Sequence, residues 1–288
     1  MPAGLVLVST PIGNLGDMTT RGIAALKAAD LVLCEDTRAA RRLLGAFGIV
    51  ARLSPLHEHN EERRIPSVLA ALAAGRRVAL VSDAGTPVLS DPGFRLVRAA
   101  AAAGLPVSAV PGPNAALMAL TISGLPPAPF LFLGFPPPRG AARRAAFARI
   151  AALERAGLRA TLVWHEAPHR LAATLADLAA TFGAREAAVA RELTKRFEEV
   201  RRARLPDLAA HFSRSPALGE ITLVLGPAGE DAAEVPAASI ESLLKARLAA
   251  GMSVKEAVAA VAAETGAPRR EVYASALALK DAVTKAGA

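Results

Sequence analysis

Acidic and amide side chains stand where the apolar runs of this chain end. Glu35 and Asp36 follow DLVLC, Asn60 and Glu61 close LSPLHEHN, and Glu166 and Glu192 end RATLVWHE and REAAVARE. Carboxylates gathered at strand ends in one cleft can accept a proton or orient a hydroxyl. Each alone would serve equally as a helix cap or a surface charge. A second chemical feature is SDAGTPVLSDPG, residues 82–93, with two glycines, two aspartates and two prolines in twelve residues. It is long for a simple Asp/Pro/Gly turn. It follows an apolar run, and ligands of open α/β sheets bind outside the carboxyl ends of strands.

The loop STPIGNLGD, residues 9–17, also follows an apolar run and suggests a phosphate cradle. It lacks the Lys-Ser/Thr of a P-loop and the G-x-G-x-x-G spacing of a dinucleotide turn. A tight turn into a helix explains its glycines. The histidines do not make a metal site: His57 and His59 are two apart in a loop, and His165 and His169 flank Pro168. Neither pair has the helical H-E-x-x-H spacing, and Cys34 stands alone, so no metal is expected.

These groups need elements to hold them. GLVLVS, DLVLCE, RRVALVSD and LPVSAV read as strands, separated by helices near 19–29, 38–47 and 94–103. The segment 53–64 reads as a polar loop entering a further helix. That alternation calls for a mostly parallel sheet covered on both faces. PGPNAALMAL opens a helix with proline and Asn114 at its start. Beyond it, PFLFLGF, RATLVWHE, REAAVAREL, RFEEVRRAR and GEITLVLG read as strands of a more antiparallel sheet, with helices near 139–157, 168–183 and 206–211. GPAGEDAAEVPAAS, 226–239, reads as a linker, followed by three short helices. The expected units are 1–112, 113–228 and 236–288.

At 288 residues, 52% hydrophobic and a mean hydropathy of +0.33, the chain can bury a substantial core, which excludes a disordered class. Its longest apolar stretch, near 115–138, is broken by Gly124, Gly134 and prolines, so no membrane span or membrane partner is expected. A single cysteine and no charged leader before an apolar run fit a cytoplasmic protein. The net charge is +8, and only six of 34 basic residues are Lys. Arg presents a planar fork suited to phosphate, so an anionic partner, RNA or DNA foremost, is expected. Aromatic residues are 4%, which supplies base-stacking platforms poorly. The helix around Arg139, Arg143, Arg144 and Arg149 is the expected RNA-backbone contact, with Arg269 and Arg270. Those two open the last helix after a turn at Gly266, in a pattern that serves a helix-turn-helix or a plain three-helix packing module equally.

STPIGNLGDMTTRG, CEDTRAARRLL, HEHNE, LVSDAGTPVLSDPG, VPGPNAAL, EAPHR, RELTKRFEEV and GEITLVLG, in that order, resemble the ribosomal RNA small subunit methyltransferase I family. This family belongs to the tetrapyrrole-methylase-like class of S-adenosylmethionine (AdoMet) enzymes. The resemblance spans about residues 4–226, and the tail resembles the family's C-terminal extension. It implies two α/β domains with AdoMet in the cleft between them, 2′-O-methylation of a cytidine ribose in the decoding region of 16S rRNA, and a homodimer. It places the cofactor on Gly85, Thr86, Pro87 and Leu89, then Ala115 and Ala116, with Glu166, Leu193 and Ile221 closing the pocket. Trp164-His165 stand where the family commonly has a Tyr before the Glu, which leaves Glu166 in register.

For the proton on a 2′-hydroxyl, the strand-end candidates are Asp36 as acceptor, Asn60 as orienting amide and Arg191 as phosphate clamp. Asn14, Asp17 and Arg38 are expected on the substrate side of the cleft. Two other readings are open to the same residues: a methylase of a polycarboxylate tetrapyrrole, and a DNA-binding regulator that uses the tail. RELTK and the basic tail favour RNA over the tetrapyrrole, and the size of the α/β part disfavours the regulator.

Overall fold

The computed structural model describes residues 3–229, 237–265 and 267–286. The first sheet contains β1 (Gly4–Val8), β2 (Leu31–Cys34), β3 (Leu53–Pro55), β4 (Arg77–Leu80) and β5 (Val107–Val110). All pairings are parallel, in the order β3-β2-β4-β1-β5. Side chains alternate between two buried faces, as a parallel sheet requires. Val6, Val8, Val32 and Cys34 pack with α1 (Thr20–Ala28) and α2 (Thr37–Ala46). Leu5, Leu33, Val78 and Leu80 pack with α3 (Glu61–Ala73) and α4 (Phe94–Ala102). Fully burying each such Leu or Val contributes roughly 1.5–3 kcal/mol. The expected polar loop at 53–64 contains a strand, because Val32 to Cys34 pair with Leu53 to Pro55. Three residues show no periodicity, and Pro55 is tolerated only because β3 is an edge.

The second sheet contains β6 (Phe130–Phe132), β7 (Thr161–Glu166), β8 (Glu186–Arg191), β9 (Glu199–Arg204) and β10 (Ile221–Leu225), in the order β6-β7-β10-β8-β9. Only β6–β7 is parallel. One face packs Leu162, Trp164, Val189 and Leu223 against α6 (Gly140–Arg155), α7 (Leu171–Phe182) and α8 (Leu205–Arg214). The other face packs Val163, Ala188, Ala190 and Val224 against α5 (Ala115–Ile122) and Ile12. Ile12 comes from the loop after β1, so this small-residue core fastens the first sheet's loop end to the second sheet.

Three helices follow: α9 (Ala237–Ala249), α10 (Val254–Thr265) and α11 (Arg269–Ala286). They share a core of Ile240, Leu244, Val258, Val261 and Val272. Half of the expected linker, residues 230–236, and the turn residue Gly266 lie outside the described residues.

Candidate active site

The carboxyl ends of β1, β4 and β5 carry three loops, and Thr86 ties them together. Its hydroxyl donates to the Pro113 carbonyl (3.1 Å) and accepts from Asn114 Nδ2 (3.2 Å) and from Ser9 Oγ (3.3 Å). Thr10 and Gly85 exchange backbone hydrogen bonds of 2.9 and 3.1 Å. The 82–93 loop is held in an unusual path: Gly85, Val88, Ser90 and Gly93 all have positive φ, at 79°, 76°, 68° and 122°. For Val88 and Ser90 that conformation costs about 1–3 kcal/mol each, and it persists only where surroundings enforce it. A side chain at Gly93 would sit 2.6 Å from Leu80 Cδ2.

Between this loop cluster and the second sheet lies a cavity of about 400 Å³. Eight of the nine expected cofactor residues line it: Gly85, Thr86, Leu89, Ala115, Ala116, Glu166, Leu193 and Ile221. Pro87 does not, although it lies between two that do. Asp83, Asp91 and Glu220 also face it, and no Lys or Arg does. Phe132, Phe135 and His165 form an aromatic corner, with the His165 ring 5.0 Å edge-on to Phe132 and 5.6 Å from Phe135. Burial holds the His165 imidazole below its usual pKa, and its Nδ1 is 3.1 Å from Thr222 Oγ1.

The carboxylates differ in state. Glu166 is 2% exposed and saturated. It accepts from the Ala167 N–H (2.8 Å) and the Thr174 hydroxyl, and pairs with Arg170 Nε at 3.0 Å. Asp91 is only half-buried but is pushed up to about 6, by burial first and then by the charges of Glu35 and Asp83. Such a cluster of like charges disfavours the ionised form until a cation joins it. Asp91, with Asp83 as a charged neighbour, carries the clearest electrostatic signal at the site. The strand-end pairs considered in the sequence omit both, and SDPG, read as backbone geometry, already contained Asp91.

None of the three candidates for chemistry lines the cavity. Asp36 caps α2 by accepting from the Arg38 N–H (2.7 Å), and its own N–H donates to Asp83 Oδ1 (3.2 Å). The Arg38 N–H and guanidinium hold its carboxyl below the usual range, which makes it a weak proton acceptor. Asn60 departs from its expected role. It is buried, its Oδ1 accepts from the His57 N–H (3.0 Å), and its Nδ2 lies 3.3 Å from the Pro55 carbonyl and 2.9 Å from His57 Nε2. Its amide ties together the loop before α3. Arg191 pairs with Glu199 at 2.7 Å and stands opposite the wall residue Ile221.

Asn14, Asp17 and Arg38 lie outside the cavity wall. Asn14 caps the 3-10 turn Leu15–Asp17, and Arg38 is an exposed partner of Asp36. Gly13 abuts the second sheet's loop: a Cβ there would meet Lys195 Cγ at 2.4 Å and Thr194 Oγ1 at 2.9 Å. Among the cations expected to meet RNA, Arg139, Arg144, Arg269 and Arg270 are exposed. Arg143 is not: it is 5% exposed and bound to Asp177 at 2.6 Å, so it serves α6–α7 packing. Helical periodicity turns position 143 inward beside Phe147, a consequence that reading α6 as a uniformly basic stripe overlooks.

Residues 4–209 match the family model of tetrapyrrole (corrin/porphyrin) methylases, and residues 234–280 match the RsmI C-terminal HTH domain. Solved structures share the fold. The methyltransferase CobJ has a TM-score of 0.56 at 20% identity, over 78% of this chain and 95% of that one. The uroporphyrin-III C-methyltransferase of Thermus thermophilus, complexed with S-adenyl homocysteine, has 0.53 at 21%, over 77% and 97%. Among curated proteins, the ribosomal RNA small subunit methyltransferase I of Mesorhizobium japonicum is 47% identical, over 96% of this chain and 92% of its own. That of Escherichia coli O157:H7 is 41% identical, over 95% and 94%. The chain therefore belongs to the tetrapyrrole methylase family and, within it, to the ribosomal RNA small subunit methyltransferase I proteins.

Proposed function

We propose that the chain methylates the ribose 2′-oxygen of a cytidine in the decoding region of 16S rRNA, using AdoMet, with the small ribosomal subunit as its partner. The observation that carries this reading is a cavity walled by four carboxylates and no cation, in a chain of net charge +8 whose free arginines stand elsewhere. AdoMet, when bound, supplies a methyl group on a positively charged sulfur. Asp83, Asp91 and Glu220 suit its cationic groups, the aromatic corner suits adenine, and Gly85, Ala115 and Ala116 allow close backbone approach.

The chain's own contribution is alignment and exclusion of water. Ile12, Leu193 and Ile221 make the apolar wall, and the loops braced by Thr86 fix the methyl donor's seat against them. Holding both reactants in a near-attack geometry can supply several kcal/mol of the barrier. Methyl transfer releases the hydroxyl proton. Asp36, anchored through its N–H to Asp83 and held ionised by Arg38, is the acceptor in this reading, a weak one that takes the proton only late in the transfer, and Arg191 holds a neighbouring phosphate. The division of the chain at 112/113 and over 228–236 belongs to the same proposal, supported by α5 packing on β7 and β10. So do cytoplasmic residence and a homodimer, the latter supported by Val107, Phe130 and Leu131 left bare on the strands β5 and β6. Among the described residues no helix is long and apolar enough to cross a membrane. Mass mapping of 2′-O-methyls on small-subunit RNA tests the reading. A deletion strain should lack one methylated cytidine in the decoding region, regained with the gene. A full pattern in that strain refutes it.

A further inference from the structure

The loop between β8 and β9, residues 192–198, is braced far more than a hairpin connection needs. Glu192 and Thr194 hold positive φ of 51° and 67°. The Lys195 N–H donates to the Glu192 carbonyl (3.0 Å), and the Glu198 carboxylate accepts from the Thr194 N–H (2.6 Å). The Lys195 ammonium bridges Glu192 (2.8 Å) and Glu220 (3.3 Å). Through these ties the loop is fixed to the cavity: Leu193 and Glu220 are wall residues, and Gly13, next to the wall residue Ile12, lies against the Lys195 stem.

What this rigid arm presents is Phe197, 65% exposed, more than any other Phe, Tyr or Trp among the described residues. Phe197 joins none of the five hydrophobic cores. Arg196 is also exposed, lies 5.5 Å from the ring centroid, and has no carboxylate partner among the described residues. A ring 65% exposed, with a guanidinium over it that no carboxylate pairs among the described residues, on a strained loop clamped to a methyl-donor cavity, joins no hydrophobic core. It has the components of a single-strand nucleic-acid contact: a ring for a base to stack on and a cation for the adjoining phosphate.

We propose that Phe197 is a stacking platform for an unpaired base of the RNA substrate, and that Arg196 holds that nucleotide's phosphate, so that the loop positions the strand over the cavity. This rests on the RNA reading above. Stacking accepts any base, so the platform positions the strand and does not choose the nucleotide.

The test uses the full chain with small ribosomal subunits from the deletion strain. Phe197→Ala should raise KM for subunits about tenfold or more and leave AdoMet affinity, measured by calorimetry, unchanged. Phe197→Trp should restore the wild-type KM, which a purely structural role for the ring would not predict. Arg196→Ala should lower the salt slope of subunit binding by about one. Wild-type KM in Phe197→Ala, failure of Trp to restore it, or a salt slope unchanged in Arg196→Ala would overturn the proposal and leave the RNA reading standing. A halved sedimenting mass in Phe197→Ala would assign the ring to a second copy of the chain and also overturn it. Absence of methyl transfer by the wild-type protein would sink the RNA reading, and the platform with it.

Discussion

Asp91→Asn separates electrostatics from packing at the cavity. The Asp91 carboxyl titrates near 6 in the free protein, because it is partly buried beside Glu35 and Asp83. A cationic cofactor favours the ionised form and pulls that value down. At pH 7 the group is about nine-tenths ionised, and at pH 5 about one-tenth. AdoMet should therefore bind about tenfold more weakly at pH 5, or ~1.4 kcal/mol. Asp91→Asn should bind more weakly than wild type at pH 7 and lose this pH dependence. Stability should move the other way. The folded value is raised above 3.8, so the stability it contributes is full below that pH and lost as pH rises through about 6. The whole displacement corresponds to at most ~3 kcal/mol, and partial exposure reduces it to about 1. Cofactor-free Asp91→Asn should then melt about 2–4 °C higher than wild type at pH 7. Calorimetric titration from pH 5 to 8 and thermal melts read both arms. A pH-independent wild-type affinity, or a lower melting point in the Asn variant, would refute the reasoning.

Five further substitutions probe parts of the framework. Gly13→Ala drives a methyl into Lys195 Cγ and Thr194 Oγ1 and should cost about 1–3 kcal/mol, read as a lower denaturant midpoint, whereas Gly45→Ala, in open space, should not destabilise. Glu166→Ala strips Arg170 and Thr174 of their shared partner and should destabilise by about 3 kcal/mol in urea unfolding; a change under about 0.5 kcal/mol would contradict the buried pairing. Arg143→Ala should lower stability by a few kcal/mol without altering the salt dependence of RNA binding, while Arg144→Ala should lower the salt slope by about one and barely affect stability.

The sheets and most helices were legible because their signals are local. Apolar runs such as LVLV and ITLVL need only hydrophobicity and length, and Asn114 marks the start of α5 by accepting from the Leu117 N–H. The 82–93 loop was legible from its own Gly, Asp and Pro content after an apolar run, and Glu166 from its strand-end position, whereas Ala115 and Leu193 carry no chemistry that spacing could reveal and were placed on the cofactor wall only by family resemblance. Other features were hidden because they depend on contacts distant in sequence. β3 exists only as a pairing with β2. Asn60 has an expected residue type, yet its amide is spent on the loop it closes. Arg143 is basic like its neighbours, but it shares the inward face of α6 with Phe147, and its partner there, Asp177 of α7, is distant in sequence. Asp91 acquires its raised pKa from burial first, and then from Asp83 on its own loop and from Glu35 beyond the end of β2.

The most direct test of the central claim is reconstitution. Purified chain, labelled AdoMet and small subunits from the deletion strain should yield one 2′-O-methylated cytidine in the decoding region, mapped by mass spectrometry. Asp91→Asn should yield far less at limiting AdoMet. Label on a base, on another nucleotide or on no RNA at all would contradict the account.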